Sequence, residues 1–404
     1  MAVGYHELPP LLPVAGIRWG CTAAGIKKPG RLDLSVMEIA PGSNVAAVFT
    51  RNAFCAAPVQ VCRRHLQATQ PRYLLINTGN ANAGTGERGL QDALAGCEAL
   101  GQQAACKTEQ VLPFSTGVIG EYLPMPKILE GLPGALQNLQ QDWHQAAHAI
   151  MTTDTLPKGV SLQRTIDGHT VTLTGIVKGA GMIRPDMATL LSFIATDATV
   201  SQMDLQTLLQ DVVEDSFNSV TVDSDTSTND SLVLVATGQS AAAPIVGGSA
   251  AYGEFRQVLL EMCQQLAQLV IRDGEGATKF MTIKVIGGTT KAECKDLAFT
   301  VAHSPLVKTA FFASDPNWGR ILAAVGRAGI SDLDLARVRI LLGDVCLVAG
   351  GERSPEYTEA RGQAVMDQED ITVTIDLQRG AAAATVWTCD FSYDYVRINA
   401  EYRT

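Results

Sequence analysis

Residues 181 to 197 read GMIRPDMATLLSFIATD, a turn containing Gly181 and Pro185 that runs through Ala188 and Thr189 into an unbroken apolar segment. A β-branched residue followed by apolar ones packs well on a pleated surface, so Thr189 to Ile194 is predicted to form a strand. Immediately upstream, TVTLTGIVKG at residues 170–179 alternates as a half-buried strand does. Two strands joined by a loop of Gly and Pro, inside a chain that elsewhere shows helical periodicity, make mixed α/β the natural fold class.

The rest of the chain agrees with that class. Short apolar runs, VAAVFT, YLLINTG and VLPFSTG, alternate with Gly-rich turns, and GLQDALAGCEALGQQA has helical spacing. A second helix is predicted from roughly Leu136 to Ala149. A third starts at a capping-box-like Ser201-Gln202-Met203-Asp204 and runs to about Phe217. A long helix is expected from about Tyr252 to Arg272, ending in Asp273-Gly274-Glu275-Gly276, where glycine can stop a helix and let backbone approach a ligand. SPLVKTAFFASDPNWGRILAAVG reads as a Pro-broken helix pair, and DITVTIDL and AAAATVWTCDFSYDYV as C-terminal strands.

Composition narrows the function classes. The formal net charge is −10 and no Lys/Arg block exceeds a pair, so the electrostatic footprint for nucleic acid is missing. Nine scattered cysteines with no CxxC pair fit buried thiols in a reducing compartment better than a disulfide framework or a zinc site. The first twenty residues lack a basic region followed by an apolar one, and no run approaches a membrane span, so a cytoplasmic location is expected, with no membrane partner.

Several motifs invite other chemistry. Gly84-Thr85-Gly86-Glu87-Arg88-Gly89 is a literal GxGxxG between a strand and a helix, the context of a dinucleotide fingerprint. Its preceding loop NTGNANAGTG is too long for the tight first turn, and Glu109 precedes the next apolar run where the ribose-binding acid should end it. The same loop nearly spells a phosphate loop from Gly79 to Gly84, without the lysine. Asp223, Asp225, Ser227 and Asn229 resemble the start of a calcium loop, yet Thr228 and Leu234 replace its glycine and its bidentate glutamate. His144 and His148 share a helical face without a third ligand nearby. No metal is expected, and no GxSxG elbow supports a serine hydrolase.

A threonine hydroxyl becomes a useful nucleophile when its residue is N-terminal and its own α-amine, titrating near about 7.7–8.0 when unperturbed, takes the proton. An internal threonine reaches that state only if the chain is cut before it. The segment Lys178 to Thr189, KGAGMIRPDMAT, resembles the self-cleavage site of the ornithine acetyltransferase (glutamate N-acetyltransferase) family, which cuts between Ala and Thr. NTGNANAGTG, PFSTGVIGE, IMTTDT, VDSDTSTND, DGEGATKF, SPLVKTA, DPNWGRI and YDYVRINAEYRT resemble further family blocks, in order, over nearly the whole chain.

The resemblance implies a layered αββα-type sandwich of the ornithine acetyltransferase/DmpA-like kind, processed as an N-terminal-nucleophile enzyme. It implies cleavage at Ala188-Thr189 into chains 1–188 and 189–404, two copies of each associating. Thr189 is then the nucleophile, Thr116 and Gly117 the oxyanion donors, and Thr152, Lys178, Thr189, Glu275, Asn399 and Thr404 the substrate-binding positions. The implied substrates are N-acetylornithine and glutamate, with no cofactor and with acetyl-CoA as a further acetyl donor. By charge, Lys178 suits a substrate carboxylate and Glu275 a substrate amine. A self-cleaving amidohydrolase or aminopeptidase would pass the acyl group to water instead, and a non-catalytic module would use Gly84 to Gly89. Ser224 stands where relatives commonly have Gly, and Arg184-Pro185-Asp186 is a variable stretch.

Overall fold

The computed structural model describes residues 2–184 and 190–401; the expected cleavage junction Ala188-Thr189, with Pro185, and the terminal Thr404 lie outside the described residues. In chain order the strands are β1 (Ile17–Thr22), β2 (Leu34–Ile39), β3 (Asn44–Phe49), β4 (Tyr73–Asn80), β5 (Val111–Val118), β6 (Lys158–Ile166), β7 (His169–Lys178), β8 (Leu191–Thr196), β9 (Ser231–Ala236), β10 (Phe280–Gly288), β11 (Arg339–Leu342), β12 (Val345–Ala349), β13 (Glu352–Arg353), β14 (Asp370–Asp376) and β15 (Ala382–Cys389). They form three sheets, ordered β1-β2-β4-β5, β3-β9-β8-β7-β6 and β13-β12-β11-β14-β10-β15.

The first two sheets face each other. Trp19, Met37 and Leu74 from one meet Phe193, Val233 and Val235 from the other in a shared core. Trp19 stands edge-on to Trp143 at 5.4 Å and to Phe193 at 5.9 Å, and Phe114 meets Phe193 at 5.2 Å. Each such pair adds about 0.5–1.5 kcal/mol beyond its burial. The outer face of the first sheet is covered by helices Gly86–Gln103 and Met125–Gln137 through Cys97, Leu100 and Leu132. The outer face of the second is covered by helices Gln202–Glu214 and Ala250–Arg272 through Leu209, Met262 and Leu266. This is the expected αββα sandwich. The period-2 alternation of a strand distributes β8 accordingly, with Phe193 in the core between sheets and Ile194 beneath the helices.

Sandwiching changes the character of β7. Every residue from Val171 to Val177 is buried, so the strand is not half-buried as its alternation suggests. Its threonines occupy polar niches instead: Thr174 Oγ1 donates to the Leu12 carbonyl at 2.7 Å, and Thr172 Oγ1 accepts from Gln163 at 3.1 Å.

The third sheet has its own core, in which Ile283, Val285 and Val373 pack against Leu297, Val301 and Phe311. The Pro-broken pair is present as Pro305–Phe312 and Trp318–Gly326, capped by Ser304 and Asn317. Ser201 caps its helix by accepting from Asp204 N–H, and that helix ends at Glu214, with Phe217–Ser219 forming a separate 3₁₀ turn. The helix expected over 136–149 is interrupted, because Gln140 pairs with Trp19 as a bridge and Asp142 caps a new helix, Trp143–Ala149. The last expected strand stops at Cys389; Ser392 caps a helix over Tyr393–Ala400, so the aromatic alternation of YDYV is helical surface.

Candidate active site

The second sheet is assembled from both sides of the Ala188-Thr189 junction. β3, β6 and β7 precede it and β8 and β9 follow it, with β7 antiparallel to β8 and β3 antiparallel to β9. The last β7–β8 pair is Lys178 with Leu191, two residues past Thr189 in sequence. The flanks are held tightly. Asp223 accepts from the Met182 and Ile183 N–H groups at 2.6 and 2.8 Å, Ile183 O accepts from Val222 N–H at 2.8 Å, and Leu190 O accepts from Ser231 N–H at 2.8 Å.

A cavity of about 260 Å³ opens beside these flanks. Thr116, Gly117, Thr152, Lys178, Glu275 and Asn399 all line it, together with Leu190. Every substrate or oxyanion position expected from sequence that falls among the described residues is therefore brought to one place, although the first and last, 116 and 399, are 283 residues apart.

Thr116 and Gly117 end β5. Gly117 has φ +135°, and a Cβ there would lie 2.3 Å from the Gly79 carbonyl carbon and 2.5 Å from Asn80 N, so only glycine fits against its β4 neighbour. Asn229 buttresses this bend, its amide donating to Ala81 O at 2.6 Å and Ser115 O at 2.9 Å. The lysine at the end of β7, Lys178, donates to Thr116 Oγ1 at 3.0 Å. Burial pushes the Lys178 ammonium below its ordinary pKa, against the opposing pull of Asp154 and Asp230. Asp230 lines the same cavity, and burial raises its carboxyl well above the usual range despite Ser227 and Lys178.

Behind the cavity lies a buried ionic bolt. Lys158 Nζ sits 2.7 Å from Asp154 and 2.5 Å from Asp273, all three side chains being essentially inaccessible. Asp154 also accepts from Thr152 N–H at 2.8 Å and Gly179 N–H at 2.7 Å, and Asp273 from Thr155. Burial alone would raise Asp154, but Lys158 and Lys178 hold it below its ordinary value. For Lys158 burial works downward, and the two carboxylates outweigh it. The bolt fixes the Thr152 loop to the end of the long helix.

That helix end presents Glu275, whose carboxylate accepts from Asn399 Nδ2 at 2.8 Å and whose N–H donates to Ala180 O at 2.9 Å. Burial raises its pKa, with hydrogen bonds from Thr153 and Asn399 opposing. Gly181 makes room for it: a Cβ there would fall 2.5 Å from the Glu275 carboxylate. Gly276, with φ +71°, admits the C-terminal helix, since a Cβ would lie 2.5 Å from Tyr395 N. The close approach expected at this glycine is thus to a helix that delivers Asn399.

Sequence reading missed Asp154, Lys158, Asp230 and Asp273 as parts of this site. Asp223 and Asn229, set aside as calcium-loop look-alikes, hold the Met182-Ile183 flank and the bend at Thr116-Gly117. Ser224 has φ +69°, which explains a preference for glycine there. The GxGxxG start is filled from within, because a Cβ on Gly89 would meet Thr85 Oγ1 at 1.9 Å and Asn82 Oδ1 at 2.6 Å, and Phe54 packs over Gly84. His144 Nε2 accepts from Leu11 N–H at 3.2 Å. All nine thiols are free, and no helix among the described residues is long and apolar enough to cross a membrane.

The family model for ArgJ matches residues 18–404. Proteins of Pseudomonas fluorescens and Pseudomonas syringae pv. tomato named arginine biosynthesis bifunctional protein ArgJ are each 56% identical over 406 aligned positions, covering 100% of both chains. The crystal structure of arginine biosynthesis bifunctional protein ArgJ from Bacillus halodurans is similar with a TM-score of 0.50 and 34% identity, over 52% of this chain and 97% of that one.

Proposed function

The chain belongs to the ArgJ family, and from that premise we propose how its cavity works. The protein is an ornithine acetyltransferase of arginine biosynthesis, a glutamate N-acetyltransferase. The observation carrying the assignment of roles is the convergence of six motif residues and Leu190 on one cavity.

In the first stage the Thr189 hydroxyl adds to the Ala188 carbonyl carbon, and the C–N bond breaks as the departing amine takes the proton. Water then hydrolyses the ester, leaving chains 1–188 and 189–404. The Bacillus halodurans chain, matched over 97% of itself but only 52% of this one, has the proportions of one such piece and supports the reading.

In the second stage Thr189 Oγ, its proton taken by its own amine, attacks the acetyl carbon of N-acetylornithine. Ornithine leaves as the amine, and the amine of glutamate then attacks the acetyl ester to give N-acetylglutamate. Negative charge develops on the acetyl oxygen in each step, where the Thr116 hydroxyl and Gly117 N–H serve as donors worth about 2.7–4 kcal/mol apiece. Lys178, donating to Thr116 Oγ1, polarises that hydroxyl toward the oxyanion. Glu275, steadied by Asn399, receives a substrate ammonium, and Thr152 adds a polar group to the lining. No metal or cofactor takes part; acetyl-CoA enters as an alternative acetyl donor, the second activity of a bifunctional enzyme. Two long and two short chains assemble in the cytoplasm, whose reducing environment suits nine free thiols.

Denaturing mass measurement tests the first stage: two fragments split at Ala188/Thr189 are expected, and one intact chain in Thr189→Ala. Incubation with N-acetylornithine tests the second. Acetate release indifferent to glutamate would sink the transferase in favour of a hydrolase.

A further inference from the structure

A second cavity, of about 360 Å³, adjoins the first and shares Gly117, Val118, Thr152 and Thr153 as common wall. Its other side carries Lys27, Lys28 and Arg31, three cations within five residues of a chain whose net charge is −10. We infer that this cavity takes the phosphate-bearing carrier of a nucleotide thioester such as acetyl-CoA, across the wall it shares with the cavity of the amino-acid substrates. The inference rests on the transferase reading above and locates its second donor.

The loop that presents the cations is built for the purpose. Asp33 is buried and both its oxygens are committed inward, accepting from Ala24 N–H at 2.7 Å and Ile26 N–H at 2.6 Å, so it shapes the turn rather than neutralising the lysines. Lys27 and Lys28 are exposed, and neither forms an ion pair among the described residues. Glu401 also lines the cavity. The loop packs directly on the oxyanion bend: a Cβ on Gly79 would sit 2.9 Å from the Lys27 Cβ, and Gly79 is the β4 partner of Gly117. Arg31 donates to Met151 O at 2.5 Å, tying the same loop to the segment bearing Thr152. The cations therefore lie one strand away from the oxyanion donors, with Val118, Met151 and Ile398 supplying apolar wall between. Acetylornithine and glutamate carry no phosphate and have a cavity of their own. Clustered unpaired lysines at a surface mouth are the chemistry that recognises phosphate.

The step balances without a redox partner. Thr189 Oγ bonds to the thioester carbonyl carbon, the C–S bond breaks, and the hydroxyl proton passes through the Thr189 amine to the departing thiolate, leaving free thiol. Glutamate then takes the acetyl group as before.

Steady-state kinetics of both reactions in the full-length protein test the site. Lys27→Ala/Lys28→Ala is expected to raise KM for acetyl-CoA roughly tenfold, less at high salt, and to leave acetylornithine–glutamate transfer unchanged. Lys27→Glu/Lys28→Glu should enlarge the difference. Unchanged KM for acetyl-CoA, or equal losses in both reactions, would overturn the proposal. A wild-type enzyme active with acetylornithine but not acetyl-CoA overturns it as well, while sparing the transferase; inactivity with both donors defeats the transferase reading itself.

Discussion

The second and third sheets invite comparison. Both are mixed parallel and antiparallel and each is covered by helices, yet the third is built from one continuous stretch, 280–389, whereas the second gathers strands from 44 to 236. The site lies at the ends of strands of the first and second sheets: Thr116 and Gly117 close β5, Lys178 closes β7, and Leu190 precedes β8. The third sheet contributes no strand residue to that cavity and acts through the helix after β15, which carries Asn399. A sheet stitched from distant segments brings chemically useful strand ends together; a sheet folded from neighbours supplies a platform.

Four substitutions can break or sharpen this contrast, taken from the largest expected effect. Gly117→Ala should lower kcat by roughly 10²–10³-fold through the lost oxyanion geometry, and further weaken the β4–β5 pairing. Its counterpart Gly380→Ala, whose Cβ would lie 2.1 Å from Gly288 O, should lower stability and leave kcat per folded molecule intact. Comparing active-site titre with total protein separates the two. Lys158→Met leaves Asp154 and Asp273 buried without their cation, and urea unfolding should show a loss of about 3–5 kcal/mol together with a raised KM, since the Thr152 loop is freed. Ile283→Ala, in the core of the third sheet, should cost about 2–5 kcal/mol with KM unaffected.

His303 links the two regions, its Nε2 lying 3.0 Å from Thr221 Oγ1. Burial, helped by Arg184, Lys308 and Arg327, pushes its pKa from 6.5 down to about 4. Between those values the unfolded chain binds a proton that the folded chain refuses, so stability falls as pH drops from 6.5 toward 4. His303→Gln should flatten that slope in urea melts at pH 7 and pH 4.5. The smallest effect is expected from Ser224→Gly, which relieves a left-handed serine and should add roughly 0.5–1 kcal/mol.

The sandwich was legible because apolar runs and caps are local signals: β8 follows from its side chains, and Ser201 announces its helix. Burial on two faces was not, since β7 shows the alternation of a one-sided strand while its threonines find partners as distant as Leu12. The helix at Tyr393 was missed because alternating tyrosines have strand propensity and the Ser392 cap carried less weight. For the site, Thr116 and Gly117 sit in the run VLPFSTG with no local signal of a role, and only the resemblance marked them. The Asp154–Lys158–Asp273 bolt was invisible for a physical reason: Asp154 and Lys158 are near in sequence, but the contact that closes it joins Lys158 to Asp273, 115 positions on, and no periodicity encodes such a meeting.

The stitched sheet has a consequence for the molecule's life history. A continuous chain finds β7 and β8 as neighbours along one polymer, whereas a molecule severed between them must bring two solutes together to restore the same hydrogen bonds. Recovery from heat or urea then becomes second order, with a midpoint that depends on protein concentration. Under the cleavage proposed above, folding has to precede cutting, and the cut molecule's folded state is kept by its unfolding barrier more than by ease of return.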